Sequence, residues 1–248
     1  MASGVLHHTA RTVEHQHTDG WAFDLEATLK QTIAGEVRFD QGSRALYATD
    51  LSIYRQVPVG VVIPRTVDDV VATVQACRER GVPILGRGCG TSLAGQCCNV
   101  AVVIDFSKYL NRIVALDAAR HTVTVQPGVI CDAVRQAAEQ YHLTLAPDPA
   151  THAYCTLGGM IGNNSCGAHT VMGGKTVDNV EELEILTYDG LRMRVGPTSD
   201  GELEQIISQG GRRGDIYARL RALRDRYMAL IRERYPRIPR HWPAGSRP

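Results

Sequence analysis

Residues 83–95 read PILGRGCGTSLAG, with glycines at 86, 88, 90 and 95. The apolar run Pro83-Ile84-Leu85 leads in as a buried strand, and the glycines then loosen the backbone. Glycine reaches positive φ without strain and lets a ligand approach with no Cβ in the way. Consecutive free N–H groups in such a turn form a concave anion site. Thr91 and Ser92 add hydroxyls, and Arg87 adds a permanent charge. Two readings stand at this point: an ordinary glycine-rich turn, or a loop that wraps a pyrophosphate.

Known phosphate loops narrow the second reading. Gly86-x-Gly88 opens a dinucleotide fingerprint, but the third glycine it needs would fall at Thr91. Gly174-Lys175-Thr176 ends like a P-loop, but the first glycine would fall at His169. Neither site is supported.

Outward from the loop, Val57 to Pro64 is a strand. Thr66-x-x-Asp69 is a capping box, opening a helix with Val67, Val70, Val71, Val74 and Cys77 at helical spacing. Gly81 and Pro83 stop it. On the N-terminal side, residues 1–20 read as an unstructured tail. Trp21 to Lys30 is helical, and Glu36 to Asp40 leads into a polar loop ending at Tyr54. On the C-terminal side, Val102 to Ile104 is a strand, and Ile113–Leu116 pairs with Thr122–Gln126 as a hairpin. A second amphipathic helix covers about 129–141, and Pro147 and Pro149 stiffen the turn after it.

A second informative stretch, TLGGMIGNNSCGAHTVMGGK, spans 156–175. It reads as too glycine-rich and polar for a core element. Gly158, Gly159, Gly162, Ser165 and Gly167 would let backbone lie flat against a planar ligand. Thr156, Asn163, Asn164 and Ser165 offer side-chain hydrogen bonds. Two such segments about seventy residues apart, each expected to follow a strand, point to one ligand clamped between two lobes. Val180–Thr187 and Leu191–Val195 form a hairpin about Asp189-Gly190. Helices follow at Glu202–Ser208 and Asp215–Tyr235, the latter with Ile216, Leu220, Leu223, Tyr227 and Ile231 on one face.

The 248 residues have room for one large or two small domains. A net charge of +1 argues against nucleic-acid binding as the main role. From Arg212 onward eleven arginines stand against three acids, a pattern read as a solvated helix face. The seven cysteines include no CxxC pair, so no metal or cluster spacing is present. No secretory signal or membrane span is legible, and reduced thiols in the cytoplasm are expected.

VPVGVVIPRTVDDVVATVQACRERGVPILGRGCGTSLAG and APDPATHAYCTLGGMIGNNSCGAHTVMGGKTVDNVEELEILTYDG together resemble the flavin domain of the vanillyl-alcohol oxidase family. The likeness runs from about Pro58 to Val195. Its wording is most similar to that of FAD-dependent D-2-hydroxyacid dehydrogenases of the D-lactate, D-2-hydroxyglutarate and glycolate type. The resemblance implies an α+β, two-subdomain FAD-binding (PCMH-type) fold over 56–235. Residues 21–55 would be an N-terminal extension and 236–248 an irregular tail.

By the same resemblance, Arg87, Gly88, Cys89, Gly90, Thr91 and Ser92 surround the pyrophosphate. Pro147, Asp148, Thr156, Gly158 and Gly159 line the flavin and diphosphate, and Asn163, Asn164, Ser165 and Gly167 continue that wall. Ile185 holds the adenine end through its backbone. Some relatives attach flavin through a histidine where this chain has Thr91, and Cys89 and Cys155 read as small apolar fillers, so non-covalent FAD is expected.

The implied reaction oxidises a small 2-hydroxy acid to a 2-oxo acid, with electrons leaving to a cytochrome, quinone or iron–sulfur partner. Peripheral contact with the inner membrane face fits such an acceptor. The resemblance also implies a substrate or cap domain after the flavin domain, and in some relatives an iron–sulfur region. Neither is legible before Pro248, and no catalytic base or metal ligand can be assigned. The chain is therefore expected to be a fragment of a longer gene product. A flavin-binding module, or a fragment without turnover of its own, is the alternative.

Overall fold

The computed structural model describes residues 19–235. The expected tails lie outside these residues, except that Asp19 and Gly20 open α1 (Asp19–Thr32). The strand β1 (Glu36–Arg38) and the short helix α2 (Gln41–Leu46) follow. That helix falls in the segment read as a polar loop. It is nucleated by Asp40, whose carboxylate accepts from the Ser43 N–H at 2.8 Å.

The first lobe is a four-stranded sheet. Strand β2 (Gly60–Ile63), helix α3 (Val67–Glu79), β3 (Ile84–Arg87) and β4 (Val102–Asp105) supply the rest of it. The order is β1-β2-β4-β3, with β1 antiparallel and the other three parallel. Every residue of β2 and β4 is buried, as strands covered on both faces must be. Side chains alternate across the sheet. Val62 and Val102 pack with Leu25, Leu29, Ala76 and Cys77 of α1 and α3. Val61, Ile63 and Val103 face the other way, toward Tyr47, Leu85 and Tyr109.

The capping box at Thr66 and Asp69 forms as the sequence requires. Asp69, almost fully buried, also accepts N–H bonds from Ala34 (2.9 Å) and Arg65 (2.8 Å). One carboxylate thus fixes the start of α3 and the turn before β1.

The second lobe comprises the hairpin β5 (Ile113–Asp117) and β6 (Thr122–Val125), with helices α4 (Cys131–Glu139) and α5 (Leu157–Asn163). Val129, Cys131, Val134, Cys155, Leu157 and Met160 form its core. The stretch read as too polar for a core therefore contributes two apolar anchors, Leu157 and Met160. They lie three apart on α5, and a one-face pattern that short is hidden among glycines. The short helix α6 (Thr170–Gly173) and a 3-10 turn over Thr176–Asn179 complete the lobe.

The hairpin β7 (Leu183–Leu186) and β8 (Arg192–Val195) returns to the first lobe. Tyr188 donates to the Val82 carbonyl (2.9 Å) and Arg78 to that of Asp189 (2.8 Å). Helices α7 (Asp200–Gln209) and α8 (Gly211–Arg234) pack on each other. The apolar face expected on α8 stays largely open, with Leu220 57% and Leu223 53% exposed.

Removing the Asp69 carboxylate strands the N–H groups it accepts. Asp69→Ala should lower stability by about 2–3 kcal/mol in urea unfolding. Glu36 on β1 is held by Lys108 (2.5 Å), by Tyr109 (2.6 Å) and by Arg38. The Lys108 ammonium, with those partners, pulls its carboxyl from the ordinary 4.5 down to about 2. A carboxyl depressed in the folded state stabilises above its unfolded value, and that contribution fades as pH falls toward the folded one. Glu36→Gln should therefore lose less thermal stability than wild type between pH 4.5 and about 2, relative to each protein's own midpoint at pH 7.

Candidate functional site

Strand β3 ends at Arg87, whose carbonyl accepts from Phe106 at 3.0 Å, and the glycine loop begins there. Gly90 is buried and takes φ +70°, a conformation that side chains resist. Its carbonyl accepts from the Leu51 N–H at 3.2 Å. Arg87 lies beneath this turn. It donates to the carbonyls of Tyr47 (3.3 Å), Cys97 (3.0 Å) and Thr49 (2.9 Å), and its guanidinium sits 5.2 Å from the Tyr47 ring centre. A Cβ on Gly90 would come within 2.5 Å of that guanidinium.

The sequence reading had Arg87 supply charge to the loop; the structure commits its side chain to holding the loop closed. Tyr47 is fixed in turn by donating to Asp105 at 2.6 Å. Burial first, and this bond second, push its phenol well above the usual tyrosine range.

Arg87 and the Gly90 carbonyl are paired in this way, but none of the backbone N–H groups of residues 88–93 donates to a protein acceptor among the described residues. Thr91 and Ser92 are half-buried, and the Ser92 hydroxyl lies 3.1 Å from the Cys97 sulfur. Cys89 is exposed, so it is not the apolar filler expected.

The second glycine segment follows a turn rather than the expected strand. Thr156 makes a single antiparallel bridge to Ile130 and caps α5, accepting from Gly159 N–H at 3.3 Å. It is buried against the loop, and any Cβ on Gly88 would overlap its hydroxyl. This is where the two lobes meet. The N–H groups of Leu157 and Gly158 are already bonded to the carbonyls of Val129 (2.7 Å) and Pro127 (2.8 Å), and Gly158 packs on Pro127. Gly158 and Gly159 therefore provide a surface more than a set of donors, with Thr156 and Leu157 buried behind them.

Asn163 accepts from the Gln96 side chain at 3.5 Å, a second link to the loop. Asn164 ends α5 at φ +47° and accepts from Val177 N–H at 3.0 Å. The Ser165 carbonyl takes both donors of Thr176 (2.9 and 2.7 Å). Gly167 lies directly on the Asp148 carbonyl, where a Cβ has no room. Asp148 accepts the His169 N–H (3.1 Å) and pairs with its ring, and His169 holds that carboxyl below its usual range. Pro147 is secured through its carbonyl by Arg135 at 3.2 Å. His152 pairs with Asp132 at 2.7 Å.

The geometry thus joins Gly88 to Thr156, Gln96 to Asn163, and Asp148 to Gly167. Ile185 stands apart on β7, with its backbone opposite Met193. Sequence reasoning missed Tyr47, Thr49, Leu51 and Gln96. Three of them act through backbone atoms, which leave no signature of residue type. Among the described residues, no cluster of three His, Cys, Asp or Glu side chains could hold a metal, and no helix is long and apolar enough to cross a membrane.

Residues 58–196 match the FAD binding domain family. The chain is 33% identical over 219 residues to a D-2-hydroxyglutarate dehydrogenase of Pseudomonas putida, covering 87% of this chain and 22% of that protein. It is 36% identical over 178 residues to the glycolate oxidase subunit GlcD of Bacillus subtilis, covering 70% and 37%. An alkyldihydroxyacetonephosphate synthase shares the fold, with TM-score 0.62 and 20% identity over 72% of this chain and 36% of that one. So does the BBE-like 1 protein of Physcomitrella patens, in a variant form, at TM-score 0.61 and 19% identity over 71% and 38%. The chain therefore spans well under half the length of these proteins. With more than half of its residues matching that family's pattern in an α+β fold of this kind, the chain is a member of the FAD binding domain family.

Proposed function

We propose that the chain is the flavin-holding part of a D-2-hydroxyacid dehydrogenase, with FAD bound non-covalently between the glycine loop and the 156–167 wall. The observation that carries this is the run of unpaired N–H groups at 88–93 beside the Gly88–Thr156 contact. A pyrophosphate supplies the acceptors that such a nest lacks. Arg87, beneath the loop, favours the anion without touching it. Gly158 and Gly159 present a flat surface over the buried Thr156, and Asn163 to Gly167 extend it past Asp148. Ile185 would meet the adenine end through its backbone. When bound, FAD would take up the hydride, with its electron pair, that the protein's own side chains cannot hold.

The substrate class rests on the relatives' names, which include D-2-hydroxyglutarate dehydrogenase, glycolate oxidase subunit and D-lactate dehydrogenase. A small 2-hydroxy acid oxidised to the 2-oxo acid is common to all three, with electrons passing to a cytochrome, quinone or iron–sulfur acceptor.

Incubation of the purified chain with FAD, gel filtration and a visible spectrum test the reading. The expected result is a retained flavin spectrum whose chromophore stays in solution after acid precipitation. A folded chain that retains no flavin would overturn the assignment, and colour in the acid pellet would overturn non-covalent binding.

Gly88→Val should separate the loop from Thr156, an overpacking cost of about 1–3 kcal/mol, and weaken FAD binding roughly tenfold or more. Gly201→Ala, on open surface of α7, should leave it unchanged. Arg87→Lys keeps the charge but loses the forked bonds to three carbonyls. It should speed hydrogen exchange of the Leu51 amide, which is bonded to the Gly90 carbonyl of the loop, even without flavin, whereas exchange equal to wild type would place the arginine's role elsewhere.

A further inference from the structure

Two thiols that the flavin reading leaves unused lie behind the wall. The Ile130–Thr156 bridge is closed by Leu157 N–H to the Val129 carbonyl (2.7 Å) and Cys131 N–H to the Cys155 carbonyl (3.0 Å). One residue out from this isolated bridge, Cys131, the first residue of α4, stands opposite Cys155. Residues opposite each other in an antiparallel pair project to the same side, with Cα atoms about 4.5–5.5 Å apart. A disulfide spans about 4.4–6.8 Å. Both side chains enter one core cluster, at 0% and 5% exposure, with the Cys131 N–H on the Cys155 carbonyl joining their backbones and the Cys131 thiol donating to the Pro147 carbonyl at 3.9 Å.

All seven cysteines are free thiols. The neighbouring Cys131 thiol holds the Cys155 thiol below its usual range, with a smaller contribution from His152, while its nearness to Cys155 and its burial raise Cys131. One sulfur is thereby prepared as the nucleophile while its neighbour keeps the proton.

We propose that Cys131 and Cys155 are a dithiol that a peroxide converts to an intramolecular disulfide, cross-linking the first turn of α4 to the residue before Thr156. The Cys155 sulfur attacks one oxygen of hydrogen peroxide and the O–O bond breaks. This gives a sulfenic acid and, with the thiol proton, one water. The Cys131 sulfur then attacks the sulfenic sulfur. The S–S bond forms, the S–O bond breaks, and hydroxyl leaves with the Cys131 proton as a second water. Two electrons pass from the two sulfurs to the peroxide.

The test treats the native chain with hydrogen peroxide, alkylates remaining thiols and digests with trypsin. Cys131 falls in the peptide 121–135, and Cys155 in 136–175 together with Cys166. The expected product is a dithiothreitol-reversible link between these peptides, two hydrogens lighter, with fragment ions placing the bond at Cys155. In Cys131→Ser, Cys155 should stop at a sulfenic acid trapped by dimedone, and in Cys155→Ser, Cys131 should stay reduced. A wild-type digest in which both cysteines remain alkylated while Cys89 and Cys166 are oxidised would overturn the proposal. So would a bond from Cys131 to Cys166. The wild-type digest decides even where a variant fails to fold, and neither result depends on flavin binding.

Discussion

The site exists because the backbone at Gly88 can lie against the Thr156 side chain with no Cβ between them. Each partner belongs to a different lobe. Gly88 follows directly from β3, in the parallel sheet, and Thr156 caps the helix that seals the core of the second lobe. The lobes bury separate apolar clusters, so this contact cannot be replaced by a continuous core. A methyl group at one position would push apart two surfaces that a bound cofactor must meet together.

A second constraint is the pairing of polar atoms behind the loop. Buried backbone groups are almost always satisfied, and here the carbonyls of Tyr47, Thr49 and Cys97 take the Arg87 donors while Gly90 takes the Leu51 N–H. The turn is thus anchored to protein through Arg87 and the Gly90 carbonyl, and the N–H groups of 88–93 are left without a protein acceptor among the described residues. An arginine used this way gives more than a cationic side chain reaching into solvent. Its planar fork fixes three points of the chain at once, and its charge stays beneath the loop.

The elements legible in the sequence were those whose signals are local. The Thr66–Asp69 capping box, the valine-rich strands and the turn at Asp189-Gly190 each depend on residues within a few positions, and each stands where the sequence placed it. The family likeness carried the α+β fold and the FAD assignment. What could not be read depends on distant partners. Helix α2 rests on one Asp40 cap in a polar stretch, and α5 hides two buried residues among glycines. Arg87 was legible as a charge, but its partners at 47 and 49 are about forty residues away and offer only carbonyls. The apolar stripe of α8 was correctly periodic, yet periodicity describes a face without saying what covers it.

The separation of the lobes bears on how such a site loses function. The links that hold the lobes and hairpins in register include Gly88 on Thr156, the Gly128 N–H on the Leu110 carbonyl at 2.8 Å, Gln96 on Asn163, and Tyr188 on Val82. Each is a short polar or close-packed contact of small area, worth far less than either core. Local opening is governed by the weakest links and not by the total stability of the domain. If FAD binds where we propose, across the first of these links, it adds contacts to both sides and stabilises the arrangement it needs. On that reading, retention of cofactor and order between the lobes are coupled through a contact that a single methyl group can break.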